Sequence, residues 1–215
     1  VIHDIRVPLQ LPRIYPITDV AISSLSHTEQ VAHLLAGGAT LIQLREKTNP
    51  PRPFFDDATG ALRLARAAGA RIIINDRVDI ALALAAHGVH LGQTDMPAPA
   101  ARQLLGAEAI IGYSTHNLAQ VREARELPID YLAFGPVFPT RSKQNPDPVA
   151  GLDQLSAAKA LAGDLPVVAI GGIIQSTLAD TFAAGADSAA IISEILSDPQ
   201  NITANLQKML ILAAT

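Results

Sequence analysis

The chain has 215 residues, 49% of them hydrophobic, and its 16 Lys+Arg against 20 Asp+Glu leave a formal charge of −4, so one large domain is expected and nucleic-acid binding by bulk positive charge is excluded. The absence of cysteine removes disulfides, thiolate nucleophiles and Cys-based metal sites together. No run reaches the ~18 apolar residues of a membrane span, and residues 1–12 (VIHDIRVPLQLP) hold no apolar signal core, so a cytoplasmic protein acting apart from membranes is expected.

Residues 1–12 read as an N-terminal extension and 13–215 as a single domain. Within it, short β-branched or apolar runs alternate with Ala/Leu-rich stretches of helical period. In chain order, RIYPIT (13–18) precedes a helix near 28–37, TLIQL (40–44) one near 54–69, RIIIN (71–75) one near 78–86, and GVHLG (88–92) one near 97–105. AIIGY (109–113) then precedes a helix near 117–126, YLAFG (131–135) one near 151–162, PVVAI (166–170) one near 176–184, and SAAII (188–192) one near 200–213. Small steps such as GGAT, AGAR and AGADS end the preceding helices, as glycine after a helix does. Strands that read as continuous apolar runs are buried on both faces. Repeated βα units of this kind predict an α/β fold, a (β/α)8 TIM barrel. An open doubly wound sheet would carry a Gly-rich phosphate turn after its first strand. Here that strand runs into TDVAISS, and neither G-x-G-x-x-G nor a Walker A sequence occurs.

Function in such a barrel sits where the strands end, so the residues after each run are the informative ones. The second strand continues Gln43-Leu44-Arg45-Glu46-Lys47, and alternation puts Gln43, Arg45 and Lys47 on one face. The third ends Asn75-Asp76-Arg77 and the fourth runs from His90 to Asp95, delivering two carboxylates to one rim. Asp76 and Asp95 each stand where a helix cap is also expected; together, beside Arg45 and Lys47, they suit Mg2+, which takes one or two carboxylates plus substrate oxygens. The fifth strand ends in Ser114, Thr115, His116 and Asn117; Ser114 suits ligand binding, while His116 reads equally as a satisfied surface histidine. After the sixth comes a long stretch without helical signal, including Thr140, Arg141, Ser142 and Lys143, a length that marks a functional loop or lid. The seventh ends Gly171-Gly172 and the eighth Ile192-Ser193, where barrels of this kind often hold phosphate. The rim thus reads as that of a two-substrate enzyme for phosphorylated metabolites.

Taken jointly, QLREK (43–47), NDR-x-D-x-A (75–81), GVHLGQ-x-D (88–95), IG-x-S-x-H (111–116), GPVFPT-x-SK (135–143), PVVAIGGI (166–173) and IIS (191–193) resemble the thiamine-phosphate synthase (thiamine-phosphate pyrophosphorylase) family. The resemblance implies a transferase that joins hydroxymethylpyrimidine diphosphate to thiazole phosphate, plain or carboxylated, and releases pyrophosphate with Mg2+ as cofactor. Gln43, Leu44, Arg45, Glu46, Lys47, Asn75, Ser114 and Lys143 would form the pyrimidine-diphosphate site. Of these, Arg45, Lys47, Ser114 and Lys143 would be catalytic. Asp76 and Asp95 would hold the metal, and Thr140, Arg141, Ser142, Gly171, Gly172, Ile192 and Ser193 the thiazole phosphate. One departure is the loop, which reads Thr-x-Ser-Lys where the family often has Thr-x-Thr-Lys. The alternatives are a TenI-type thiazole tautomerase, in which His116 would move the proton, and a non-catalytic sensor of thiamine precursors.

Overall fold

A computed structural model describes residues 9–140 and 147–214. Eight parallel strands close in sequence order into a barrel: β1 (Ile14–Thr18), β2 (Leu41–Leu44), β3 (Arg71–Asn75), β4 (Gly88–Leu91), β5 (Ile110–Thr115), β6 (Tyr131–Phe134), β7 (Val167–Ile170) and β8 (Ser188–Ile191). Closure is made by β1 against β8, with Ile14 opposite Ala189 and Pro16 opposite Ile191. The expected α/β architecture is the one observed, and strand limits agree within two residues. The main difference is β5, which runs on to Thr115 and so carries Ser114 within the sheet.

Period-two alternation divides the apolar side chains into two layers. Tyr15, Ile17, Leu41, Ile73, Ile110, Tyr131, Ala133, Val168 and Ala190 fill the barrel. Their sequence neighbours, among them Ile14, Ile42, Leu44, Ile72, Ile74, Leu132 and Phe134, face outward under the helices. Leu9 and Leu11, from the stretch read as an extension, pack against the interior cluster. The outer helices include α2 (His27–Ala36), α3 (Pro51–Ala67), α7 (Gly151–Ala162) and α10 (Ile202–Ala213). Helix α2 begins with a capping box in which Ser26 accepts from Glu29 N–H and Glu29 accepts from Ser26 N–H, satisfying two of its free donors. Two one-turn helices, α1 (Val20–Ser23) and α9 (Ser193–Leu196), follow β1 and β8 and are not visible in the sequence periodicity, since four residues make no amphipathic stripe. No helix among the described residues is long and apolar enough to cross a membrane.

Candidate active site

The C-terminal strand ends surround a cavity of about 910 Å³. Gln43, Arg45, Lys47, Asn75, Asp76, Asp95, Ser114, His116, Thr140, Gly171, Gly172, Ile192 and Ser193 all line it. Every described residue proposed from the sequence therefore reaches one space, except Leu44, whose side chain is fully buried in the outer core. Arg141, Ser142 and Lys143 lie outside the described residues.

The cations are held by acids. Arg45 donates from Nη1 to Asp19 Oδ2, and Lys47 donates from Nζ to Asp76 Oδ2. Asp19 directly follows β1, its Oδ1 accepting from Ala21 N–H at 3.0 Å to cap α1 while its own N–H donates to Gln30 Oε1 at 2.9 Å. Glu46 also lines the cavity, and it clamps its own turn. Its carboxylate accepts from the N–H groups of Thr48 (2.7 Å) and Asn49 (2.9 Å) and from both side chains of that turn, with His27 Nε2 at 3.3 Å. Burial opposes its charge, but those donors hold its pKa down to about 2.

The two carboxylates expected to bind metal are not helix caps. The residues that cap α4 (Val78–Ala83) and α5 (Ala98–Leu105) are Arg77 and Pro97, neither with a side-chain cap bond. Asp76 instead takes a left-handed backbone, φ +62°, fixed by its N–H donating to His90 O at 2.8 Å. That conformation is tolerated by Asp but is uncommon, and such positions gather at functional sites. Asp95 Oδ2 accepts from Gly92 N–H at 2.7 Å. Burial raises the Asp95 pKa against the help of that N–H, and the neighbouring Asp76 charge raises it further. Two facing hard-oxygen donors with mutual repulsion are what a divalent cation relieves. Beside them the Asn75 amide nitrogen is buried and has no partner among the described residues, a donor that a ligand oxygen or nitrogen would satisfy.

Ser114 Oγ sits 2.8 Å from His90 Nε2, and His90 Nδ1 is 3.0 Å from the Tyr131 hydroxyl. Burial pulls the His90 pKa down to about 4. His116 is tied at Nδ1 to Gly135 O at 2.7 Å and faces Asp147 at 3.6 Å. Asn117 caps α6 (Leu118–Ala124), its Oδ1 accepting from Gln120 N–H at 3.0 Å. The glycine pair has a packing reason as well as a ligand one. Gly171 and Gly172 have φ of +96° and +66°, and a Cβ on Gly172 would lie 2.3 Å from Pro139 O. Here only glycine admits both the turn and the loop packed on it.

Sequence reasoning passes over Asp19, Tyr15, Tyr131 and His90. For Asp19 a signal existed, a carboxylate one residue beyond a strand. For His90 it was parity, because His90 stands two residues from Gly88 and shares its inward face. The tyrosines look like ordinary core.

Together the closed barrel and this rim of acids, cations and amides define a (β/α)8-barrel enzyme with its site at the strand C-termini. The sequence profile of the family described as thiamine monophosphate synthase matches residues 14–195. A thiamine-phosphate synthase from Koribacter versatilis is 42% identical over 199 residues, covering 89% of this chain and 92% of its own, and one from Moorella thermoacetica is 46% identical over 168 residues, covering 78% and 80%. The solved thiamine phosphate pyrophosphorylase from Pyrococcus furiosus superposes with a TM-score of 0.82 at 35% identity, covering 94% of this chain and 97% of its own. The chain belongs to the thiamine monophosphate synthase family.

Proposed function

We propose that the cavity couples hydroxymethylpyrimidine diphosphate to thiazole phosphate, plain or carboxylated, giving thiamine phosphate and pyrophosphate, with carbon dioxide also released when the thiazole is carboxylated. The observation that carries this reading is the juxtaposition of Arg45, Lys47, Asp76, Asp95 and the unpartnered Asn75 amide on one wall. In that reading the diphosphate lies against Arg45 and Lys47, with Lys143 as a third cation, and the pyrimidine lies deeper, towards Gln43, Asn75 and Ser114. The thiazole phosphate is assigned to Thr140, Arg141, Ser142, Gly171, Gly172, Ile192 and Ser193.

The bond from the pyrimidine methylene to the diphosphate oxygen breaks first, and the exocyclic amino group delocalises the cation left behind. The thiazole ring nitrogen then donates its lone pair to the methylene. That nitrogen has no proton to lose, so no general base is needed and positioning and charge stabilisation carry the rate. Arg45 and Lys47 hold charge on the departing diphosphate, and losing one such contact is worth roughly 3–4 kcal/mol. The facing carboxylates Asp76 and Asp95 fit Mg2+, which when bound would neutralise further leaving-group charge. The cysteine-free composition suits a reducing compartment, and we place the reaction in the cytoplasm.

A pyrophosphate-release assay with both substrates and Mg2+ tests the reading. Release that requires both substrates and the metal, with thiamine phosphate formed, is expected. Binding of both substrates without release would refute it and point to the tautomerase or the sensor.

A further inference from the structure

Four side chains inside the barrel form a chain of hydrogen bonds that ends at Ser114. Gln43 Nε2 lies 3.2 Å from the Tyr15 hydroxyl, which lies 3.1 Å from the Tyr131 hydroxyl. Tyr131 lies 3.0 Å from His90 Nδ1, and His90 Nε2 lies 2.8 Å from Ser114 Oγ. We infer that this chain runs in one direction only, and that His90 and Tyr131 are positioning residues which fix the Ser114 hydroxyl as a hydrogen-bond donor to the ligand.

The direction follows from counting protons. An amide nitrogen only donates, so Tyr15 accepts from Gln43; if Tyr131 donated to it as well, the buried Tyr15 proton would have no acceptor among the described residues, so that proton goes to Tyr131. Burial pushes both phenol pKa values up, so each tyrosine keeps one proton to give. Tyr131, having accepted from Tyr15, donates to His90 Nδ1. That nitrogen must then be bare, and the ring proton sits on Nε2, where it is donated to Ser114 Oγ. With its oxygen already accepting from His90, Ser114 turns its proton to the cavity. Ser114 and the unpartnered Asn75 amide therefore both present donors, and the ligand must answer with acceptors, such as a heteroaromatic ring nitrogen or a phosphoryl oxygen. An analogue offering N–H at that point would leave donor against donor, an error such sites reject strongly.

The geometry is built rather than incidental. A Cβ on Gly112 would stand 2.1 Å from Tyr131 Cζ and 2.5 Å from His90 Nδ1, so glycine at this position is what lets the two rings meet. They stack with centroids 5.5 Å apart and planes 27° from parallel, and Tyr15 meets Tyr131 edge-on at 6.0 Å.

The identity of the ligand facing Ser114 rests on the coupling reaction proposed above, but the proton order does not. Long-range 1H–15N spectra of the ligand-free full chain, with His90 assigned from a His90→Gln variant, read the tautomer directly. The expected result is a protonated Nε2 and a bare Nδ1, unchanged in Ser114→Ala and averaged between tautomers in Tyr131→Phe. A protonated Nδ1 in the wild-type chain, or a tautomer that changes in Ser114→Ala, would overturn the chain's direction. Kinetics give the second arm. Tyr131→Phe should lower kcat/KM about tenfold in the wild-type background, the loss of one hydrogen bond, and less than about twofold once Ser114 is alanine. Equal losses in both backgrounds would mean that Tyr131 does not act through Ser114. The expected tautomer with no coupling activity would instead refute the proposed reaction and leave the chain standing.

Discussion

Replacing Asp19 by asparagine isolates the anchor of Arg45. Asparagine keeps an oxygen for the Ala21 N–H, so the cap on α1 survives, while the atom facing Arg45 Nη1 changes from a charged acceptor to an amide N–H donor. The Asp19 and Arg45 side chains are 8% and 17% exposed. An exposed pair is worth under about 1 kcal/mol, and breaking a fully buried one costs about 3–5 kcal/mol. This pair lies between, and about 2 kcal/mol of lost stability is expected, or a fall in Tm of about 4–8 °C for a chain of this length. Asp19→Ala loses the cap too, adding about 1 kcal/mol. Urea unfolding followed by far-UV circular dichroism gives both values. Inorganic pyrophosphate should stabilise Asp19→Asn more than the wild-type chain, because a bound polyanion replaces the missing counter-charge on Arg45. The reasoning fails if Asp19→Asn lies within about 0.5 kcal/mol of the wild type, or if the asparagine and alanine variants are equally stable.

Three further outcomes are expected. Glu46 has its pKa depressed in the fold, so its contribution is complete above about pH 4.5 and is lost as pH falls through about 2. Glu46→Gln should flatten that acid limb by about 1 kcal/mol after solvent screening, as read from unfolding curves across the window. Asp76→Asn should abolish Mg2+-dependent pyrophosphate release while leaving the circular dichroism spectrum unchanged, and full activity would remove Asp76 from the metal site. Gly172→Ala should lower stability by about 2–4 kcal/mol, from a left-handed backbone and a Cβ driven onto Pro139 O, with thermal unfolding as the check.

Much of the site was legible because a (β/α)8 barrel converts sequence position into spatial position. Gln43, Asn75, Asp95 and Ser193 are far apart in the chain, yet each follows an apolar run, and the fold places all such residues at one mouth. Parity along β2 separated Gln43 and Arg45 from Leu44, which faces the outer core. Local chemistry was less reliable. Taken singly, Asp76 and Asp95 precede helices and read as caps, and only jointly do they read as a metal pair; the left-handed backbone at Asp76 and the Gly92 contact of Asp95 accompany side chains that line the cavity.

The sequence by itself determined the barrel, its strand order and most of the rim, because repeated apolar runs with glycine stops leave few other ways to bury both faces of a parallel sheet. Only the tertiary structure decided what each rim residue does. Glu46 became the clamp of its own turn, and Asp19 became the partner of Arg45. Tyr15, Tyr131 and His90, residues 15, 131 and 90 of a largely aliphatic core, came into line behind Ser114. Hydrogen bonds of this kind depend on ångström distances between strands that are remote in sequence, and no periodicity along a single segment records them.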